Sequence, residues 1–213
     1  LIPLAAAGFD IDGVDISADM IAAARAQLPT SSAPQLSVQA LHELRLARTY
    51  RTAYMCGVFG IGGNRAHDLE ALRRAYQHLE PHGALLIIHE LPYDGEDGWT
   101  DWLPGHRAGY PTPWPDKGNR RHAADGDEIE LLTRVAEFDP LTQQVVLAMR
   151  ALLWRDGSVV KEESYELKSC LYFAQEILLM LTVAGFRDVT VEGNYTGVPA
   201  TGDDGNVIFV ARR

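Results

Sequence analysis

A chain of 213 residues, 46% hydrophobic and 23% charged, has the length and composition of one globular domain with a sizeable core. Its formal charge of −10, with Lys and Arg scattered apart from Arg73-Arg74 and Arg120-Arg121, argues against nucleic acid or an anionic membrane as the main partner. The longest apolar runs, Ala84–Ile88 and Ile177–Val183, are too short to cross a bilayer.

Two separated cysteines, Cys56 and Cys170, make no disulfide framework, so a reducing cytoplasm is the expected compartment. There is no CxxC or HExxH spacing, and no metal site is expected. Leu1–Ala7 reads as the end of a helix stopped by Gly8. Phe9–Asp15 reads as a short strand with Ile11, Val14 and Ile16 apolar. Ser17 then caps a helix over Ala18–Leu28, with Asp19 in its first turn. Leu36–Gln39 is a second strand. Thr52–Gly57 is a third, running into the turn Gly57-Val58-Phe59-Gly60-Ile61-Gly62-Gly63. That turn lacks the Gly-Lys-Ser/Thr ending of a phosphate loop and reads instead as a tight turn that leaves room for ligand.

Asp68–Leu79 carries Leu69, Leu72, Tyr76 and Leu79 at helical spacing. Pro81-His82-Gly83 is a turn, and Ala84–His89 is an apolar strand buried on both faces. The alternation of strand and helix predicts a mostly parallel α/β sheet. Leu91–Asp127 breaks that pattern. It is rich in Pro and Gly, has no clear period and holds Trp99, Trp102 and Trp114. Glu128–Phe138, Gln143–Arg155 and Ser158–Tyr172 follow as extended segments separated by Asp139-Pro140 and Asp156-Gly157, which predicts a three-stranded antiparallel sheet. A helix over Ala174–Ala184, closed by Gly185, and a strand pair, Val189–Glu192 and Val207–Ala211, end the chain.

Three stretches in this order carry a family resemblance. Gly13-Val14-Asp15-Ile16-Ser17-Ala18-Asp19-Met20 resembles the second strand and following helix of class I S-adenosylmethionine-dependent methyltransferases. Leu79-Glu80-Pro81-His82-Gly83-Ala84-Leu85-Leu86-Ile87-Ile88 resembles that family's turn into its fifth strand, and Ala184-Gly185-Phe186 its last helix end. Together they cover nearly the whole chain. The resemblance implies a Rossmann-like, doubly wound α/β sheet of the seven-stranded type. Its core would be residues 1–90 and 173–213, with residues 91–172 inserted as a lid of the kind found in small-molecule methyltransferases. The family's first strand and glycine loop have no counterpart here. The chain opens on Leu1-Ile2-Pro3 with no Met, and roughly 40–60 residues, the scale of a βα unit with a leading helix, are expected upstream.

The resemblance further implies S-adenosylmethionine as cofactor, S-adenosylhomocysteine as product and a small-molecule methyl acceptor as partner, in a monomer or homodimer. Asp15, at the carboxyl end of a strand, is placed to accept hydrogen bonds from both ribose hydroxyls, or else to help cap the next helix. Ile16 and Met20 could pack on the adenine, although Met20 could equally be helix core. Where the family often has an acid for the adenine amino group, this chain has Leu41, so the backbone of Leu41 or His42 would substitute. Cys56 and Gly57 end the strand that faces the methionine moiety, the Cys56 thiol itself reading as a small buried hydrophobe.

Methyl transfer from a sulfonium needs alignment and exclusion of water, and a base only where the acceptor loses a proton. His89 and Glu90 are the candidates at the strand end. His89 could instead be tied to backbone, and Glu90 could pair with Arg121. His122 is a further candidate base. Phe59, Tyr93, Trp99, Trp102, Tyr110 and Trp114 could wall the acceptor, or could pin a long loop as a satellite core. Arg150 could face the substrate or solvent, and Tyr195 and Asp204 could border the pocket. Two other classes fit less of the chain: a catalytically inactive methyltransferase-like binding protein and a nicotinamide-dependent oxidoreductase.

Overall fold

The apolar residues 85–88 can be shielded on both faces only inside a sheet, and they organise the core. The structure, a computed structural model, describes residues 1–28, 34–92, 100–107, 109–123 and 126–213. A short helix α1 (Ile2–Ala6) leads to β1 (Gly13–Asp15), α2 (Ala18–Gln27), β2 (Leu36–Val38) and a 3₁₀ turn at Leu41–Glu43. β3 (Tyr50–Cys56), α3 (Arg65–Gln77) and β4 (Leu79–Glu90) follow. Four antiparallel strands, β5 (Asn119–His122), β6 (Glu128–Asp139), β7 (Gln144–Arg155) and β8 (Ser158–Cys170), precede α4 (Ala174–Ala184), β9 (Asp188–Gly193) and β10 (Asn206–Arg212).

The core sheet has the order β3-β4-β10-β9, with β3 and β4 parallel and β10 antiparallel to both of its neighbours. Leu85 and Ile87 of β4, in register with Ala211 and Phe209 of β10, face α3 and α4. They meet Leu72 and Ala75 of α3 and Ile177 and Leu181 of α4, nearly all without solvent exposure. Each such Leu, Ile or Phe contributes on the order of 1.5–3 kcal/mol on burial. The alternate residues of β3 point the other way, and Tyr54 on that face is 56% exposed. β1 and β2 pair with each other in parallel, in a separate two-stranded sheet.

Several expectations need correction. The antiparallel sheet has four strands rather than three. β5 has no apolar alternation to announce it and is held to β6 by backbone pairing and by Arg120, which reaches Glu128 and Glu130 at 3.2 and 3.0 Å. Pro81-His82-Gly83 is not a turn ahead of the strand. β4 runs through it with a register shift, Tyr50 pairing Leu79 and Thr52 pairing Ala84. α3 starts earlier than its apolar spacing predicts, because the Asn64 side chain accepts from the N–H groups of Ala66 and His67. Ser17 caps α2 as its sequence position predicts. Among the described residues, no helix is long and apolar enough to cross a membrane.

Candidate active site

Ligands of open α/β sheets sit beyond the carboxyl ends of the strands, and here those ends carry the predicted residues. At the end of β1, Asp15 Oδ1 accepts the Ser17 N–H at 2.8 Å, so the carboxylate does help to start α2. Its second oxygen makes no hydrogen bond among the described residues and stays available. The Asp15 carbonyl accepts from Gln39 N at 3.0 Å, which joins this corner to the end of β2. Ile16 and Met20 stand beside the carboxylate, 74% and 59% exposed. Met20 is therefore not helix core. Two bare apolar side chains next to a half-satisfied carboxylate suit a flat ring attached to a diol-bearing sugar.

After β2, Leu41 packs partly against the core. His42 stacks on His67 of α3, with ring centroids 3.7 Å apart and planes 10° from parallel. At the end of β3, Cys56 is exposed rather than buried as the sequence suggested. Its hydrogen bond with Tyr54, followed by burial, pushes the Tyr54 phenol up to about 12. Gly57 has φ 60°, and a side chain there would meet nothing within 4 Å. The strand end is thus an open, turned backbone edge, as a ligand's polar tail requires. Among the described residues the chemistry of these positions is compatible with an adenosyl ligand.

The glycine turn that follows is filled differently from expectation. Rather than leaving room for ligand, it seats the end of β8. Cys170 N donates to Gly60 O at 2.8 Å and Gly62 N to Lys168 O at 2.8 Å. A Cβ on Gly60 would lie 2.5 Å from the Cys170 carbonyl oxygen, so only glycine allows this approach. Beneath it lies a buried cluster that sequence reasoning missed. The Tyr172 hydroxyl donates to Asp68 Oδ2 at 2.6 Å, and both residues are buried. Burial raises the Asp68 carboxyl above its usual range, and the Tyr172 phenol is pushed far up by burial and by the Asp68 bond. Arg65 lies over the Tyr172 ring at 4.6 Å and reaches Glu176 at 3.2 Å. These partners are separated by more than 100 positions, so no local pattern signals them.

His89 joins this cluster. Its Nε2 lies 3.0 Å from the Tyr172 carbonyl oxygen. A carbonyl only accepts, so Nε2 carries the proton and Nδ1 keeps the lone pair. Burial holds its pKa below the ordinary histidine value. Glu90 is exposed, in register with Asn206 at the start of β10, and among the described residues makes no ion pair with Arg121. Phe59 turns into the core against Tyr172, centroids 5.1 Å apart. His122 lies away on β5, its Nδ1 3.4 Å from Glu128.

In the lid, Trp102 packs edge-on to Phe138 and also touches Phe173, both at 5.1 Å, while Tyr110 lies 6.3 Å from Phe138. Trp114 lies under two guanidinium groups, Arg134 at 4.5 Å and Arg150 at 4.3 Å, and Arg150 also reaches Glu162 at 3.5 Å. These contacts pin the 100–118 segment to the sheet, the satellite-core role. Tyr93 and Trp99 lie outside the described residues. Asp204 accepts from Thr201 and Asn194 within its own loop, next to Tyr195.

Solved structures show which fold this is. The CcbJ methyltransferase from Streptomyces caelestis superposes with a TM-score of 0.71 at 18% identity, over 99% of this chain and 77% of that one. The fold is that of S-adenosylmethionine-dependent methyltransferases. Such a methyltransferase from Clostridium acetobutylicum matches with a TM-score of 0.68 at 15% identity, over 96% of this chain and 76% of its own. The sugar N-methyltransferase KedS8 from a Streptoalloteichus species matches with 0.62 at 20% identity, over 95% and 71%. The rest of each solved methyltransferase has no counterpart in the 213 residues. No protein-family model matches the chain, and no curated protein matches it.

Proposed function

We propose that this protein transfers a methyl group from S-adenosylmethionine to an O, N or C atom of a small-molecule acceptor, in a cytoplasmic setting. The observation that carries the proposal is the corner at the end of β1. There a carboxylate oxygen of Asp15 is left over beside bare Ile16 and Met20, on a fold shared with methyltransferases. In this reading β2, β1, β3, β4, β10 and β9 are six strands of the seven-stranded-type sheet, and β5 to β8 form the lid over the acceptor.

S-adenosylmethionine supplies the methyl group on a sulfonium and departs as S-adenosylhomocysteine, keeping the C–S electron pair. The chain's residues do the rest. Asp15 holds the ribose, Ile16 and Met20 cover the adenine, and the turned backbone at Cys56-Gly57 takes the methionine amino group. Glu90 orients the acceptor, and its carboxylate favours an amine or a hydroxyl. Where the acceptor must lose a proton, His89 receives it at Nδ1, the nitrogen left free by the Nε2 bond to Tyr172. The Trp102 and Trp114 contacts hold the lid segment in place and exclude water.

Isothermal titration with S-adenosylmethionine, S-adenosylhomocysteine and NADH tests this reading, with Asp15→Ala alongside. Micromolar binding of both adenosyl ligands, lost in Asp15→Ala, is expected. Binding of NADH alone would move the protein to the oxidoreductases, and binding of none would leave a methyltransferase fold without the activity.

A further inference from the structure

The end of the core sheet away from the candidate active site carries a cavity of its own. β4 and β9 start there and β10 finishes there. His82 precedes His89 by seven residues on β4, roughly 20 Å at about 3.3 Å per residue, so this cavity is separate from the corner at Asp15 and Cys56. Its volume is about 330 Å³. Arg187, Arg212 and Arg213 line it together with His82 and Tyr76, against a single acid, Asp188. In a chain of formal charge −10, these walls carry +2 with His82 neutral.

The fold itself uses only part of this charge. Arg213 donates to the carbonyls of Gln77 and Leu79 at the end of α3 and lies over the Tyr76 ring at 5.1 Å, the ordinary use of a cation at a helix C-terminus. Arg212 only approaches its cross-strand neighbour Asp188, Nε to Oδ2 at 3.8 Å, beyond hydrogen-bond reach. Among the described residues neither the Arg187 guanidinium nor the His82 imidazole makes a hydrogen bond, ion pair or ring contact. His82 is held at φ 66°, in the left-handed region that side chains disfavour, where β4 shifts register. Gly185 ends α4 at the cavity wall, and a Cβ there would stand 3.3 Å from the Tyr76 ring. That helix end does little to repel an anion, because the Leu181 and Thr182 carbonyls already accept the N–H groups of Phe186 and Gly185.

We propose that this cavity binds a phosphate group, as the free ion or as the monoester of a small molecule. Arg187 and Arg212 offer forked N–H donors that match pairs of phosphate oxygens, and His82 offers one N–H to a further oxygen. A carboxylate has two oxygens in one plane and would leave one of these three donors unused, whereas a tetrahedral dianion engages all three. A nucleic acid would bring many phosphates to a chain of charge −10, so the site suits a single one. Nothing at this end of the sheet depends on methyl transfer at the other.

Isothermal titration near neutral pH and at constant ionic strength tests the site, with inorganic phosphate, methyl phosphate and acetate as titrants. One saturable site with Kd below about 1 mM is expected for phosphate, for the monoester or for both, with acetate at least about tenfold weaker. The tighter of the two phosphates tells which form the site takes. Arg187→Gln and Arg212→Gln should each weaken binding at least about tenfold. Both side chains are exposed, so Tm should move by no more than about 2 °C. His82→Gly keeps the left-handed backbone and removes the imidazole, and should lose about threefold or more in affinity without loss of Tm. Arg121→Gln removes the same charge from β5 and should leave binding unchanged. Equal weakening by Arg121→Gln, acetate binding as tight as phosphate, or no saturable phosphate binding up to about 10 mM would each overturn the site.

Discussion

Replacing Tyr172 by Phe removes one oxygen atom and tests the junction between lid and core. Tyr172 has no solvent exposure, and its hydroxyl donates at 2.6 Å to Asp68, which is 7% exposed. The ring and its contacts with Phe59 and Arg65 are kept, so no cavity of any size opens. The loss is that of a hydrogen bond to a buried carboxylate, about 1.5–3 kcal/mol when the acid is charged and about 0.5–1.5 kcal/mol when it is neutral. For a domain of this size, the charged case lowers Tm by about 3–12 °C.

The pH dependence has a definite sign. Burial already raises the Asp68 pKa above its unfolded value. The native state therefore binds the extra proton, and stability from this group is present in acid and lost as pH rises through the folded pKa. Without the Tyr172 donor that pKa rises further, so the deficit of Tyr172→Phe against wild type should grow from pH 4.5 to pH 7.5. Thermal unfolding followed by circular dichroism at the two pH values measures it. Adding Asp68→Asn removes the charge and should recover part of the loss at pH 7.5. An unchanged Tm, or a deficit as large in acid as at neutral pH, would refute the buried pairing.

Two shorter tests probe the strand ends. Met20→Glu changes a side chain that is 59% exposed, so Tm should move by no more than about 2 °C while S-adenosylmethionine affinity falls at least about tenfold; a large loss of Tm would return Met20 to the core. Nitrogen-15 NMR of His89 should show the proton on Nε2 and a midpoint below the ordinary value of about 6.5. Because that folded pKa is lowered, the histidine contributes stability that is lost as pH falls through the window below the unfolded value, and a midpoint above 6.5 would refute the buried, backbone-bonded ring.

Local chemistry made part of this molecule legible. Ser17 followed by Asp19 and an apolar face specifies the start of α2, and the run at residues 84–88 specifies a core strand, with Leu85 and Ile87 buried on one face and Ala84 and Leu86 half-buried on the other. Asp15 could be singled out because it ends β1 just before a cap, within the motif Gly13–Met20 that carries the resemblance. β5 could not be read, because Asn119–His122 is polar throughout and is a strand only through its partner β6. The Asp68–Tyr172 pair and the Arg65 contacts were equally hidden, since neither partner carries a signal of the other. Cys56 was misread as buried because its neighbours in sequence are apolar, while the face of β3 it occupies lacks a covering helix.

The same contrast holds for β1 and β3, which pair with different partners. Each of β1 and β3 is apolar enough to be recognised alone, but whether two strands are neighbours is decided by what lies between them. Strand recognition uses about five residues of local pattern; sheet order uses long-range pairing. Among the described residues β1 and β3 do not pair with each other, yet they line one apolar cavity and are joined by one carboxylate bracket. Asp12 is the informative residue of that set. A carboxylate 7% exposed that collects Arg48, Tyr50 and the Gln35 N–H would be a costly way to join two strands that could simply pair. What it does is hold the starts of the two strands together beside the apolar cavity.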